Sequence, residues 1–231
     1  MSESKEVENE STVLASTGKR THPLTRQKLV ERWFEVITAI MLGVVAVATA
    51  WSGYQAARWD GEQAAKYVQA SDLRVESTRY STQAGQVALY DTGVFNQWLN
   101  AYSRGETKLT SIYERRFRPE FRPAFQAWLA TDPFNNPNAP PGPLLMPQYK
   151  LSLAEKANQL EAEASKTFDE GQAANQQSDD YVLNTVILAT VLFFIAIAER
   201  FEWRAVRSVI LLVALGMLLV GLYHLATHPI N

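Results

Sequence analysis

The side chains best able to do chemistry are concentrated in Glu114–Phe125, ERRFRPEFRPAF. The unit Phe-Arg-Pro occurs twice there, at 117–119 and 121–123, with Arg115 and Arg116 just before. Guanidinium forks among aromatic rings bind carboxylate or phosphate and stack on the rings. Arg115, Arg116, Arg118 and Arg122 are therefore a candidate anion-binding set, for an anionic ligand or a phospholipid headgroup. The competing account is structural and is preferred. The prolines set a helix start, and the arginines pair with Glu114 and Glu120, as surface arginines commonly do at little energetic consequence.

Other chemistry is thin. The chain has no cysteine, which excludes disulfides, thiolate metal sites and cysteine nucleophiles. It has three histidines, at 22, 224 and 228. His224 and His228 are spaced to share a helix face, but a metal would need ligands from elsewhere. An interfacial histidine pair is the preferred reading, and no metal or other cofactor is expected. The acidic residues Glu161, Glu163, Asp169 and Glu170 lie in a helical pattern without the glycine-turned loop that calcium requires. No Gly-x-Ser-x-Gly, His-Glu-x-x-His or Gly-x-Gly-x-x-Gly pattern occurs. A net charge of −2 gives no case for nucleic acid. The expectation is a protein that is not an enzyme.

The elements that would position these residues are helices. Three stretches are apolar over the length a bilayer demands, about 20 residues: 36–54, 182–198 and 208–225, none with an Asp, Glu, Lys or Arg. Trp33 and Trp51 bracket the first, about 27 Å apart along a helix, as interfacial anchors do. An Ala-Thr-Ala triplet at 48–50 also fits a cleaved secretory signal, but the polar lead-in is long and good helical sequence follows, so an uncleaved anchor is preferred. Lys19, Arg20, Arg26, Lys28 and Arg32 precede the first span, and Arg200, Arg204 and Arg207 fall between the second and third. By the positive-inside rule the N-terminus and the 199–207 turn are cytoplasmic. Residues 55–181 and the tail 226–231 are then outside. Asn184, Thr185 and Thr190 lie in the second span. Asn184 is a candidate polar contact between helices, or a pore-lining residue in an oligomer. No span carries an ionisable residue at its centre, which weighs against a proton-coupled transporter.

The fold class expected is thus an all-α integral membrane protein: a disordered tail at 1–24, a first span within 25–54 capped by Thr25, and a long extracytoplasmic helical hairpin with an aromatic cap. A 3-4 spacing runs through Gly61, Ala64, Val68, Ser71, Val75, Thr78, Thr82, Gly85 and Leu89, and another through Leu153, Ala157, Leu160, Ala164, Thr167, Gly171, Ala174 and Ser178. This is coiled-coil spacing with small seam residues, and it suggests that these two faces meet in a close antiparallel pair. Small residues also recur every fourth position at Thr49, Gly53, Ala57, Gly61 and Ala65, a candidate packing groove; with Gly171 these are the candidate helix-packing residues. Arg58 is expected to pair with Asp179 or Asp180. Two aromatic stripes, Val87–Tyr102 and Ile112–Leu129, flank a turn at 103–107 and are expected to gather into the cap. Residues 131–149 hold six prolines, cannot be helical, and should lie on the cap as an extended strap.

The stretches YERRFRPEFRPAFQAWLATDPFNNPNAPPGP (113–143) and SDDYVLNTVILATVLFFIAIAERF (178–201), with the first span, resemble a group of functionally uncharacterised bacterial three-span inner-membrane proteins, over about residues 30–225. The resemblance implies bacterial origin, an inner-membrane location and the topology above. It carries over no catalytic residue. The function expected is a scaffold or subunit of a cell-envelope complex, with the lipid bilayer and either further copies or another envelope protein as partners. An oligomeric channel or transport component is the first alternative, and a sensor of an anionic envelope ligand the second.

Overall fold

The computed structural model describes residues 26–231, and side chains from Glu31 onward. The tail read as disordered and the proposed cap Thr25 lie outside the described residues. The described chain is all helical: α1 (Arg26–Ser103), α2 (Thr107–Arg116), α3 (Arg122–Leu129), a 3-10 turn (Pro143–Leu145), α4 (Ser152–Ala198) and α5 (Arg204–Thr227). Three of these, α1, α4 and α5, are long and apolar enough to cross a membrane by length and composition. The chain divides into two compact units, one of the residues through Ser52 with Leu183–Thr227, the other of Gly53–Val182 with His228–Asn231.

In the first unit, segments of α1, α4 and α5 pack around Met41, Val45, Ala48, Leu188, Val191, Ile195, Leu211, Ala214 and Leu218. Small residues set the spacing. A methyl added at Gly221 of α5 would stand 2.8 Å from Leu188 Cδ2 and 3.3 Å from Asn184 Oδ1, so close approach of α5 to α4 requires glycine there. At the other end of these segments Arg204 pairs with Glu31 at 3.0 Å and Arg207 lies over the Phe34 ring at 5.4 Å.

In the second unit α1 and α4 run antiparallel. Ser178 Oγ donates to the Ala56 carbonyl at 3.0 Å and Ser77 Oγ to the Ala157 carbonyl at 2.9 Å. Between these, Lys66 Nζ meets Glu170 Oε2 at 2.7 Å, and Tyr67 stacks on Phe168 with centroids 5.0 Å apart. The α4 seam is the expected one: Ala157, Leu160, Ala164, Thr167, Ala174 and Ser178 are buried. The α1 seam is not. Ala56, Ala70, Ser77, Ala84, Asp91 and Trp98 are buried, a seven-residue register, whereas the expected face from Gly61 to Leu89 is exposed, Val68 and Val75 at 63% and Leu89 at 74%. The reason lies farther along α1. The buried register continues into Phe95, Trp98 and Ala101, and burying large aromatic side chains gains about 1.5–3 kcal/mol each. The expected face continues into Thr92 and Asn96, which offer far less. The aromatic residues therefore choose which side of α1 faces α4.

The small-residue groove falls with that choice. Gly53, Ala57, Gly61 and Ala65 are exposed, and a methyl added at Gly53 or Gly61 would meet nothing within 4 Å. Gly171 of α4 is a true close-packing glycine: a methyl there would stand 2.7 Å from the Tyr67 ring and 3.2 Å from Lys66 Cβ.

Past the paired helices, α1 ends at a turn in which Gly105 takes φ +72°, a left-handed conformation that glycine adopts without strain. Helices α2 and α3 fold back, and Phe95, Trp98, Phe117, Phe121, Phe125 and Trp128 form one cluster, flanked by Leu144, Met146 and Tyr149. Residues 131–149 contain no α-helix. Trp128 Nε1 donates to the Pro140 carbonyl at 2.7 Å, and Tyr102 stacks on Phe134 at 4.5 Å, so this segment is pinned at two points along its length.

Candidate functional site

The polar centre of the second unit is Asp91, a residue the sequence reading passed over. It is 1% exposed and sits at the junction of the small-residue seam and the aromatic cluster. Arg118 reaches it as a fork, Nε to Oδ1 at 3.0 Å and Nη2 to Oδ2 at 2.8 Å, and the Tyr149 hydroxyl donates to Oδ2 at 3.1 Å. The third guanidinium nitrogen of Arg118, Nη1, donates to Glu120 Oε2 at 2.8 Å, whose other oxygen accepts from Ser152 Oγ at 2.7 Å. One chain of charge-assisted bonds thus ties α1, the α2–α3 connection, the end of the proline-rich segment and the first residue of α4.

Electrostatics follows from this geometry. The bond to Asp91 holds the Arg118 guanidinium still more firmly protonated than usual. Glu120 is held below the usual carboxylate range by Arg118 first and Ser152 second. Burial, then the adjacent Asp91 charge, pushes the Tyr149 phenol up to about 12. The single Arg118 guanidinium is shared by two carboxylates, Asp91 and Glu120, and the arrangement fastens the elements that carry them.

The four candidate arginines therefore separate. Arg118 is consumed by Asp91 and Glu120. The expected partner Glu114 serves the indole instead: its Oε1 accepts from Trp98 Nε1 at 2.9 Å. Arg122 donates from Nε to the Phe117 carbonyl at 3.1 Å and from Nη2 to the Arg115 carbonyl at 3.4 Å, closing the end of α2. Arg115 and Arg122 border a groove of about 560 Å³ with Ser111, Glu114, Phe117, Phe125, Gln126 and Leu129. Arg116 lies apart from it, beside Tyr90, Gly93, Gln97 and Tyr113. The motif thus splits three ways, and only Arg115 and Arg122 share a concave surface.

In the first unit Asn184 is 1% exposed. Its Nδ2 donates to Ser52 Oγ at 3.2 Å, and its Oδ1 is buried without a hydrogen-bond partner. The amide is a contact between α1 and α4 beside Gly221 of α5, and it lies inside the packing of these segments.

The expected pair between Arg58 and Asp179 or Asp180 does not form. Asp179 accepts from Asn175 at 3.1 Å, and Asp180 lies 3.6 Å from His228 Nε2. Asp180 faces the segment 228–231 instead. The Pro229 carbonyl accepts from both Trp59 Nε1 and the Tyr181 hydroxyl, each at 3.2 Å, and the Asn231 amide N–H donates to Gln55 Oε1 at 3.1 Å. His228 thus faces Asp180. Among the described residues no group of three or more His, Asp or Glu is placed to hold a metal ion.

Fold and site together define a class: described residues that are all helical, with three helices long and apolar enough to cross a membrane, and a second unit built of paired helices closed by an aromatic and ion-paired cluster. No protein-family model, curated protein or solved structure matches the chain.

Proposed function

We propose that this protein is a multi-pass bacterial inner-membrane protein that acts as a non-enzymatic scaffold or subunit of a cell-envelope complex. Its N-terminus and the α4–α5 turn are cytoplasmic. Its second unit is extracytoplasmic, a hairpin of coiled-coil type carrying an aromatic head that offers a shaped surface to another component. The observation that carries this reading is the Asp91–Arg118–Tyr149 cluster. Charged groups that reach the interior are spent on each other, and what they achieve is a fixed head on paired helices, as a docking element requires. The orientation rests on the Lys and Arg bias of the sequence.

The test is recovery of the tagged full-length protein from native membranes after brief crosslinking. A scaffold brings an envelope protein with it in a fixed ratio, and loses it when Phe121→Ala loosens the head. Recovery alone under those conditions overturns the reading.

A second reading, a sensor of an anionic envelope ligand, is favoured by one observation: Arg115 and Arg122 border the same groove. Inorganic phosphate and anionic lipid vesicles are the probes. Binding that survives Arg115→Ala would remove it. The third reading, an oligomeric channel component with Asn184 facing a lumen, would need that amide to exchange its bond to Ser52 Oγ, and solute flux in proteoliposomes is its test.

A further inference from the structure

The face of α1 along Gly61–Leu89 is exposed. It carries an uninterrupted 3-4 spacing from Gly61 to Leu89 with no Asp, Glu, Lys or Arg on it, yet α4 packs on a different side. The buried and exposed registers differ by five residues, about 140° around a helix, so one helix can hold two neighbours without conflict. The face is also more apolar than its composition implies. Thr78 Oγ1 donates to the Arg74 carbonyl at 2.9 Å and Thr82 Oγ1 to the Thr78 carbonyl at 2.8 Å. Both hydroxyls are thus satisfied by their own helix. Val68, Val75 and Leu89 stand well exposed along the same line.

We infer that this face of α1 is the seat of a second copy of the chain, parallel and in register, along Gly61–Leu89. The inference rests on the scaffold reading and names one partner of that scaffold. A second copy is the occupant that fits, for two reasons. Copies anchored by the same spans in one bilayer emerge in the same direction, so the face meets itself across a two-fold axis and is self-complementary. Its size also fits: about 42 Å of helix, with a contact strip as wide as a helix, about 10–12 Å, buries on the order of 1,000 Å² in total, the lower bound for a specific interface. Confinement to one membrane raises the effective concentration of the partner, so a pair of that size suffices. Charge does not oppose it. Arg74, which an in-register pair would set near Arg79 of the other copy, already lies 3.8 Å from Glu161 and 5.1 Å from the Phe168 ring centroid. Its guanidinium is held toward α4.

The absence of cysteine makes the test direct. In a parallel pair the seam positions come within the Cα separation a disulfide spans, about 4.4–6.8 Å. Val68→Cys and Val75→Cys, each in the full-length chain and oxidised in native membranes, should convert most of the protein to a disulfide-linked dimer. Gln69→Cys and Gln83→Cys, exposed but off the line, should convert little. As a second measurement, native mass spectrometry in mild detergent should show a dimer whose dissociation constant rises by about tenfold or more in Val68→Asp with Val75→Asp, while hairpin helicity is retained. Equal crosslinking at all four positions, or none at 68 and 75, overturns the inference. So does a dimer indifferent to the double aspartate variant. These outcomes are separable from the scaffold test: a chain that captures an envelope protein yet fails to crosslink at 68 and 75 loses only the second copy, and one that crosslinks yet captures nothing keeps the pair and loses the wider complex.

Discussion

Replacing Asp91 by asparagine changes almost no volume and removes one charge. The carboxylate accepts three hydrogen bonds, two from Arg118 and one from Tyr149. Asparagine keeps one oxygen. Placed at the Oδ2 position it retains Tyr149 and Arg118 Nη2, but its amide nitrogen then faces the Arg118 Nε–H, donor against donor. One charge-assisted bond is lost, about 1.5–3 kcal/mol, and the survivors weaken with the charge. Stripping a partner from a fully buried ion pair costs about 3–5 kcal/mol. Arg118 is not fully buried: its side chain is 24% exposed and keeps Glu120, so water and that carboxylate absorb part of the loss. The expected cost is about 2–3 kcal/mol, a 30- to 150-fold rise in the opening constant of this region. Hydrogen exchange read by mass spectrometry measures it locally. Amides around Phe121 and Tyr149 should lose protection together, while those of α5 serve as the internal reference. Unchanged protection refutes the reasoning, as does strict additivity of Asp91→Asn with Arg118→Met, since groups in direct contact must couple.

Other outcomes follow from the same geometry. Gly171→Leu should lower the melting of the hairpin helices by circular dichroism through an overpacking cost of about 1–3 kcal/mol against Tyr67, whereas Gly61→Leu should leave the hairpin intact; the reverse order would mean that the faces of α1 are misassigned. Gly221→Val should unfold at lower denaturing-detergent fraction than the parent, because its side chain enters the space of Leu188, and a variant of equal resistance would show that α5 does not approach that closely. Tyr149, whose raised phenol favours the protonated form in the folded state, contributes stability that is present below the ordinary tyrosine range and lost as pH rises through about 12; the difference in tyrosinate absorbance between the parent and Tyr149→Phe should show that late titration, and a titration near the ordinary value of 10.0 refutes the burial of the phenol beside Asp91. Glu120, with its carboxyl held low, works in the opposite direction. Its contribution is present above the ordinary glutamate range and disappears as pH falls through its depressed value, so acid should release exchange protection at Ser152 in the parent but not in Glu120→Gln.

Much of the helical order was legible because its signals are strong and local. Apolar runs without charge mark the three long helices, Gly105 marks the turn, and six prolines preclude helix in 131–149. The α4 seam was equally plain, since Ala157, Leu160, Ala164 and Ala174 recur between polar neighbours. On α1 the same method selected the wrong face. Two faces of that helix carry small or apolar residues at 3-4 spacing; one has no charge at all, and the one that packs on α4 also contains Lys66 and Asp91, whose types argue for solvent. What decides between the faces is the aromatic residues at the end of the helix, a tertiary effect no window on the local pattern contains. Asp91 was missed for a related reason. It lies 27 residues from Arg118, and one acidic residue in a long polar helix carries no sign of being buried. The only cue was position: Asp91 falls seven residues after Ala84 and seven before Trp98, in a register readable once Trp98 is assigned to the core.

The seam between α1 and α4 is built largely of alanine, serine, threonine and glycine. Such a surface is smooth. It has few knobs to catch in opposing holes, so shape alone sets the separation of the two helices far better than their lengthwise position. The lengthwise position is carried by pegs: the Ser178 hydroxyl on the Ala56 carbonyl, the Ser77 hydroxyl on the Ala157 carbonyl, and the stacked rings of Tyr67 and Phe168 between them. Separation and alignment therefore have different owners in this hairpin. Removing the two serine hydroxyls would cost alignment before it cost association, leaving rails that still touch but no longer know where to stop.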